Sequence, residues 1–250
     1  MNILVCISVV PDTTSKINFT DSNTKFDRSG ITFIINPLDE FCLTKAIFMK
    51  ESIGANVTVL NVGTPENDSV LRKALAIGAD NAVRINSPSN NSLSVAKSIA
   101  NYIRNKEYDI IFCGKESIDY NGGKVPGFLS SMLSIPFINA CVGLEFENET
   151  LITKNEIDDG IQLCKCQKPL IIAGQKGLVE EKDLKIPSMR GIMTARTKPL
   201  DIINPEENIV ENDIKTISFE IPEQKSSCKM VDSENVSELI DLLQNEAKVL

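Results

Sequence analysis

The first 142 residues alternate between two hydrophobic periodicities, and this alternation limits the possible folds more than any other feature. Short β-rich runs fall at Ile3–Val10, Asn56–Val62, Asn81–Ile85, Tyr108–Cys113 and Phe137–Val142, and helical patterns lie between most of them. The first helical pattern opens at Asn36-Pro37, a capping residue followed by Pro at the first helical position, with Asp39 and Glu40 in the first turn. Leu38, Cys42, Ala46, Met49 and Ile53 form its apolar stripe, and Gly54 closes it. A second pattern runs from about Pro65 to Ile77 before Gly78, a third spans about Ser92 to Ile103, and a fourth starts near Val125. Strands alternating with amphipathic helices predict right-handed βαβ units and a Rossmann-like α/β fold with a mainly parallel sheet covered on both faces. Val57–Leu60 and Ile110–Cys113 are continuously apolar, as doubly covered strands are.

The pattern changes after residue 143. Leu144–Phe146, Leu151–Lys154, Ile161–Cys166 and Leu170–Ala173 read as an antiparallel extension, with turns at Asn148-Glu149 and Asp158-Asp159-Gly160. From about Glu180 the chain becomes irregular, punctuated by Pro187, Pro199, Pro205 and Pro222. It ends in a short amphipathic helix with Val236, Leu239, Ile240 and Leu243 on one side. A long tail with little periodicity is either disordered or wrapped around another subunit, and its Ile and Leu content favours wrapping. The expected organisation is an α/β domain over residues 1–180 and a partner-embracing arm over 181–250.

Composition removes several classes of function. Lys and Arg total 26 against 34 Asp and Glu, a net charge of −8 that disfavours a nucleic-acid partner. The absence of histidine excludes Ser-His-Asp and Cys-His nucleophilic sites and His-ligated metals within this chain. Seven scattered cysteines, mostly inside apolar runs, suit a reducing compartment rather than a disulfide framework. The Cys164-x-Cys166 pair reads as ordinary strand residues, and no metal site is expected. No apolar run approaches the roughly 18 residues that span a bilayer, so membrane insertion is not expected and the expected location is the cytoplasm.

Gly114-Lys115-Glu116-Ser117-Ile118-Asp119-Tyr120-Asn121-Gly122-Gly123-Lys124-Val125 follows one strand and leads into a helix. In open α/β sheets, ligands bind at the carboxyl ends of strands, and amides of a glycine-containing loop opening a helix suit a phosphate. On spacing alone, a nucleotide site and an ordinary surface connection are both open. The loop is not a P-loop, because Ile118 stands where its first glycine would be and no Ser or Thr follows Lys124. No G-x-G-x-x-G follows the first strand. The Val10–Ser15 loop and the Asn36–Asp39 helix start are weaker ligand candidates, and each also reads as a plain turn or cap. Glu156, Asp158 and Asp159 flank a glycine turn, where solvated acids are usual.

Four segments in order carry a family resemblance. They are Ile34-Ile35-Asn36-Pro37-Leu38-Asp39-Glu40, Lys73-Ala74-Leu75-Ala76-Ile77-Gly78-Ala79-Asp80, Cys113-Gly114-Lys115-Glu116-Ser117-Ile118-Asp119, and the pair Glu156–Gly160 and Ile186–Met193. Over nearly its whole length the chain resembles the β subunit of electron-transfer flavoproteins. The resemblance implies a Rossmann-like fold of the adenine-nucleotide α-hydrolase type and a heterodimer with an α subunit that holds FAD. It also implies electron flow from dehydrogenases, such as acyl-CoA dehydrogenases, towards the quinone pool. The chain is then a carrier subunit without an autonomous catalytic site, binding AMP structurally. In electron-bifurcating members a second FAD that exchanges hydride with NADH takes the place of AMP. The remaining alternative, an adenine-nucleotide-hydrolysing enzyme, lacks its phosphate loop at Ser8-Val9-Val10-Pro11-Asp12.

Position by position, the resemblance places the nucleotide against Cys6, Asn36, Pro37, Leu38, Asp39, Val62, Asp119, Tyr120 and Asn121. The phosphate falls on the amides of Gly122, Gly123, Lys124 and Val125. Thr13 falls near the α-subunit flavin. Ile186 is the docking anchor for a dehydrogenase, in the recognition loop that includes Pro187 and Met189. Three positions depart from the family: Lys124 replaces a frequent Gln, Asn155 a basic residue and Cys164 an aliphatic one.

Overall fold

The computed structural model describes residues 1–88, 91–147, 150–205, 216–222 and 228–250. Among them the strands are β1 (Asn2–Cys6), β2 (Val9–Pro11), β3 (Phe19–Thr20), β4 (Lys25–Phe26), β5 (Phe33–Ile35), β6 (Asn56–Gly63), β7 (Asn81–Asn86), β8 (Ile110–Gly114), β9 (Phe137–Glu147), β10 (Thr150–Ile157), β11 (Gly160–Cys166), β12 (Leu170–Gly174) and β13 (Leu200–Ile203). The helices are α1 (Pro37–Ile53), α2 (Asp68–Ile77), α3 (Ser92–Ile103), α4 (Val125–Leu133), α5 (Met189–Ala195) and α6 (Val236–Asp241). Nine strands form one sheet in the order β11-β10-β9-β12-β8-β1-β6-β7-β13. From β9 through β13 every neighbouring pair is parallel, which makes the fold the expected Rossmann-like α/β class.

One face of the sheet is covered by α1 and α2, whose Leu43, Ile47, Leu71 and Leu75 join Ile3, Val5 and Phe112 in a buried cluster. The other is covered by α3 and α4, whose Ile99, Ala100 and Leu129 pack on Leu4, Leu60 and Ile111. Consecutive strand residues thus feed opposite cores, which is why these strands read as continuous apolar runs. Three other sequence expectations change. The run Leu170–Ala173 is β12, parallel to both neighbours and wholly buried between β8 and β9, rather than part of an antiparallel extension. Its unbroken apolar sequence is that of a doubly covered strand. The runs Phe137–Val142 and Leu144–Phe146 are one strand, β9, parallel to β12 in its first half and antiparallel to β10 in its second. It passes through Ala140 at a φ of +50°, beside register shifts in both neighbouring pairings. The run Ile3–Val10 is two strands, β1 and β2. The expected Asn148-Glu149 turn lies outside the described residues.

By contacts, the chain divides into one unit of residues 1–18 and 27–215 and another of 19–26 and 216–250. The first part of the expected arm therefore lies in the same unit as the sheet. Here α5 packs on α2, and β13 extends the sheet beside β7. In the second unit β3 pairs with β4, and the Phe19 and Phe219 rings stack with centroids 4.6 Å apart. Ile217, Ile221 and Met230 are exposed there, as are Val236, Leu239 and Ile240 on α6.

Candidate functional site

Strand order reverses at β1: the chain proceeds to β6 on one side and to β8 on the other. The crevice beyond the carboxyl ends of such strands is the default ligand site of an open α/β sheet. Cys6 ends β1, Val62 lies near the end of β6, and both share one buried cluster with Cys113 of β8. The loop from Gly114 rises from this edge and re-enters the fold as α4.

The loop geometry is set by backbone pairing. Ser117 donates its amide to the Gly122 carbonyl at 3.2 Å, and Asn121 turns the chain with a φ of +49°. A Cβ on Gly123 would come within 2.9 Å of the Lys115 carbonyl oxygen. Lys124 occupies the position before α4 and makes no side-chain cap, while Pro126 helps fix the first turn. Among the described residues, the amides of Gly123, Lys124 and Val125 donate to no acceptor. These donors open the helix beside an exposed lysine, an arrangement that suits an anionic oxygen group. Asp119, Tyr120 and Asn121 are exposed at the rim, with the Asp119 carboxylate accepting from the Tyr120 amide at 2.8 Å.

The Asn36–Asp39 start of α1 lies beneath the crevice, and its polar side chains point inward. Asn36 occupies the cap position but does not cap the helix. Instead its Nδ2 donates to the Glu116 carbonyl at 2.9 Å, and its Oδ1 accepts from the Ile118 amide at 3.1 Å. Asp39 accepts from the Ser8 and Gly114 amides at 2.7 Å each. Burial pushes the Asp39 carboxyl up to about 7 against the opposing pull of these hydrogen bonds. Pro37 and Leu38 are half-buried. Thr13 stands exposed in a tight turn, where Asp12 accepts from the amide and hydroxyl of Thr14. The hydroxyl hydrogen bond, then the amide one, holds the Asp12 carboxyl below its ordinary value.

Sequence reasoning passed over a second polar layer at this edge. Arg84, inside the apolar strand β7, is 2 % exposed. Its Nε donates to Asp68 at 2.5 Å, and its Nη1 donates to the Gly63 carbonyl and to Asn86. Asn61 donates to the Ile7 carbonyl and accepts from Asn67, tying β6 to the turn after β1. The available signal was the charge within Ala82-Val83-Arg84-Ile85, because a buried cation must be paired.

The segment around α5 is anchored to α1 and α2. Lys185 reaches Glu51 at 2.8 Å, Arg72 donates to the Ala195 and Lys198 carbonyls, and Lys198 donates to the Leu75 and Ala79 carbonyls. Ile186, Met189 and Met193 stand 81 %, 80 % and 71 % exposed, while Pro187 helps line a groove of about 540 Å³ against α2. Asn155 and Cys164 turn out to be neighbours: Asn155 Nδ2 lies 3.4 Å from Cys164 Sγ, and its Oδ1 has no partner among the described residues. All seven cysteines are free, and no metal-binding cluster occurs among the described residues. No helix among the described residues is long and apolar enough to cross a membrane.

The fold and this crevice define an α/β protein whose topological switch point carries a glycine-containing loop with unengaged backbone donors. Residues 23–208 match the electron transfer flavoprotein domain. The electron transfer flavoprotein subunit beta of Bacillus subtilis (strain 168) is 33 % identical, with both chains covered in full. That of Syntrophomonas wolfei is 29 % identical over all of this chain and 98 % of its own. An acryloyl-CoA reductase electron transfer subunit gamma from Anaerotignum propionicum is 28 % identical over 98 % of this chain and 99 % of its own. The chain belongs to the electron-transfer flavoprotein β-subunit family, and its function is electron transfer. A β subunit of this kind implies an α partner.

Proposed function

We propose that this chain pairs with an FAD-holding α subunit and shuttles electrons from dehydrogenases, acyl-CoA dehydrogenases among them, towards the quinone pool. AMP sits in the switch-point crevice as a structural nucleotide. The carrying observation is the run of unengaged amides at Gly123, Lys124 and Val125, in the loop that begins at the carboxyl end of β8. These donors and Lys124 hold the phosphate, while Cys6, Val62 and the start of α1 bound the adenosine side. The flavin, held mainly by the α subunit, supplies the redox chemistry when bound. This chain supplies scaffold and docking, with Thr13 facing the flavin. The relative named as a subunit for acryloyl-CoA reductase supports an acyl-CoA oxidoreductase as electron partner. Ile186, Pro187 and Met189 form the docking surface for it, and the exposed apolar residues beyond residue 216 embrace the α subunit. The complex works in the cytoplasm as a carrier rather than an autonomous enzyme.

The test is to co-express the chain with its α partner, purify the heterodimer, denature it and chromatograph the released nucleotides. One FAD and one AMP per heterodimer is the expected result. Two FAD and no AMP would replace AMP with a second flavin that reacts with NADH. No co-purifying partner and no nucleotide would overturn the reading.

A further inference from the structure

The polar side chains at the start of α1 are fully engaged inside the protein, which leaves them a different task from touching the nucleotide. We infer that Asp39 and Asn36 are positioning residues that hold together the two loops bounding the nucleotide crevice. This rests on the nucleotide reading above. One wall is the turn after β1, gripped at Ser8: its amide donates to Asp39 at 2.7 Å, and its carbonyl accepts from the Asn36 amide at 2.9 Å. The other wall is the loop after β8, gripped at three points: the Gly114 amide on Asp39, and the Glu116 carbonyl and Ile118 amide on Asn36. Between these last two lies Ser117, whose amide pairs with the Gly122 carbonyl next to the free amides. Hydrogen bonds of 2.7–3.2 Å, joined by the backbone between them, thus link the Asp39 carboxylate to the segment that carries the free amides. The fit is close: a Cβ on Gly114 would lie 2.3 Å from Asp39 Oδ1.

Both Asp39 oxygens accept from amides, so the clasp is tightest in the carboxylate form. A proton on either oxygen replaces a charge-assisted acceptor with a weaker neutral one and loosens the hold on the walls. The titratable groups beside Asp39 are the thiols of Cys42 on its own helix and Cys113 on β8. Burial pushes Cys42 up, and the hydrogen bond with Cys6 together with burial does so for Cys113, so both stay neutral. Loosening of the crevice near neutral pH is therefore assigned to Asp39.

The experiment follows AMP release from the purified heterodimer between about pH 6 and 8, bracketing the value near 7 for Asp39. Wild-type release is expected to quicken as pH falls through this range. In Asp39→Asn it is expected to be about ten- to a hundredfold faster at pH 8 and flat with pH, the cost of losing a charge-assisted acceptor. Asn36→Ala, which keeps the carboxylate, is expected to release AMP faster with the pH step retained. It also serves as the readout if Asp39→Asn fails to fold. Wild-type retention of AMP in either variant, or a pH-independent wild-type protein, would overturn the inference. A wild-type heterodimer without AMP would instead overturn the nucleotide reading itself.

Discussion

The switch-point crevice and the segment around α5 are built in opposite ways. At the crevice, side chains are consumed internally and backbone donors are left open: Asn36 and Asp39 are buried and bonded, while the Gly123–Val125 amides have no acceptor among the described residues. Around α5 the backbone is consumed and side chains are left open. Gly191 donates to Ser188 Oγ, Arg72 takes the Ala195 carbonyl, and Ile186, Met189 and Met193 project into solvent. The first arrangement suits a small anion, whose oxygens need converging donors at fixed spacing. The second suits a protein surface, where exposed apolar anchors on a fixed support carry the energy of binding.

Substitutions separate the two constructions. The largest effect is expected from Arg84→Ala, which strands Asp68 and the Gly63 carbonyl beside the crevice. Asp68 is itself 36 % exposed, so the cost lies in the lost guanidinium hydrogen bonds and the packing of the Arg84 stem, about 3 kcal/mol, read as a drop in thermal stability of the heterodimer. Two glycine substitutions then test the contrast directly. Gly114→Ala drives a methyl into Asp39, and Gly191→Ala drives one to 2.2 Å from the Ala76 carbonyl oxygen. Each is expected to cost about 1–3 kcal/mol. Gly114→Ala should lose AMP and keep dehydrogenase-driven reduction of any flavin it retains, while Gly191→Ala should keep AMP and slow that reduction. If both variants lost AMP equally, the two regions would not be separate.

Asp39 titration adds an effect that depends on pH. Its folded value of about 7 lies above the ordinary 3.8, so between these values the folded state binds more protons than the unfolded one. Its contribution to stability is present below the ordinary value and is lost as pH rises towards 7. Subtracting the stability profile of Asp39→Asn from that of wild type should show this fall. AMP retention should run the other way, which distinguishes a positioning carboxylate from one that only stabilises the fold. The smallest effect on stability is expected from Ile186→Ala, within about 0.5 kcal/mol because the side chain is 81 % exposed. The same variant should slow reduction by the dehydrogenase, and unchanged kinetics would remove Ile186 as an anchor.

The sequence revealed the fold wherever a local periodicity matched the environment. The α1, α3 and α4 boundaries follow from Asn36-Pro37, Gly54, Ser92 and Val125, because caps and breakers act locally. Placing β12 required knowing which strands flank it, and β13 pairs with β7 across more than a hundred residues. Neither relation leaves a local trace. The loop proposed to hold the phosphate reads as glycine and lysine before a helix. The inward aim of Asn36 was not, because a capping residue and a buried brace have the same sequence signature. Arg84 was visible as an anomaly, but its meaning depended on Asp68 and Gly63 lying beside it.

The most direct measurement is amide resonance mapping of this chain, isotopically labelled within the nucleotide-free heterodimer, as AMP is added. The largest shifts are expected at Gly123, Lys124 and Val125, with smaller ones at Gly114 and Ile118. Shifts centred elsewhere on the chain, or none on saturation, would contradict an anion site built from the backbone at the head of α4.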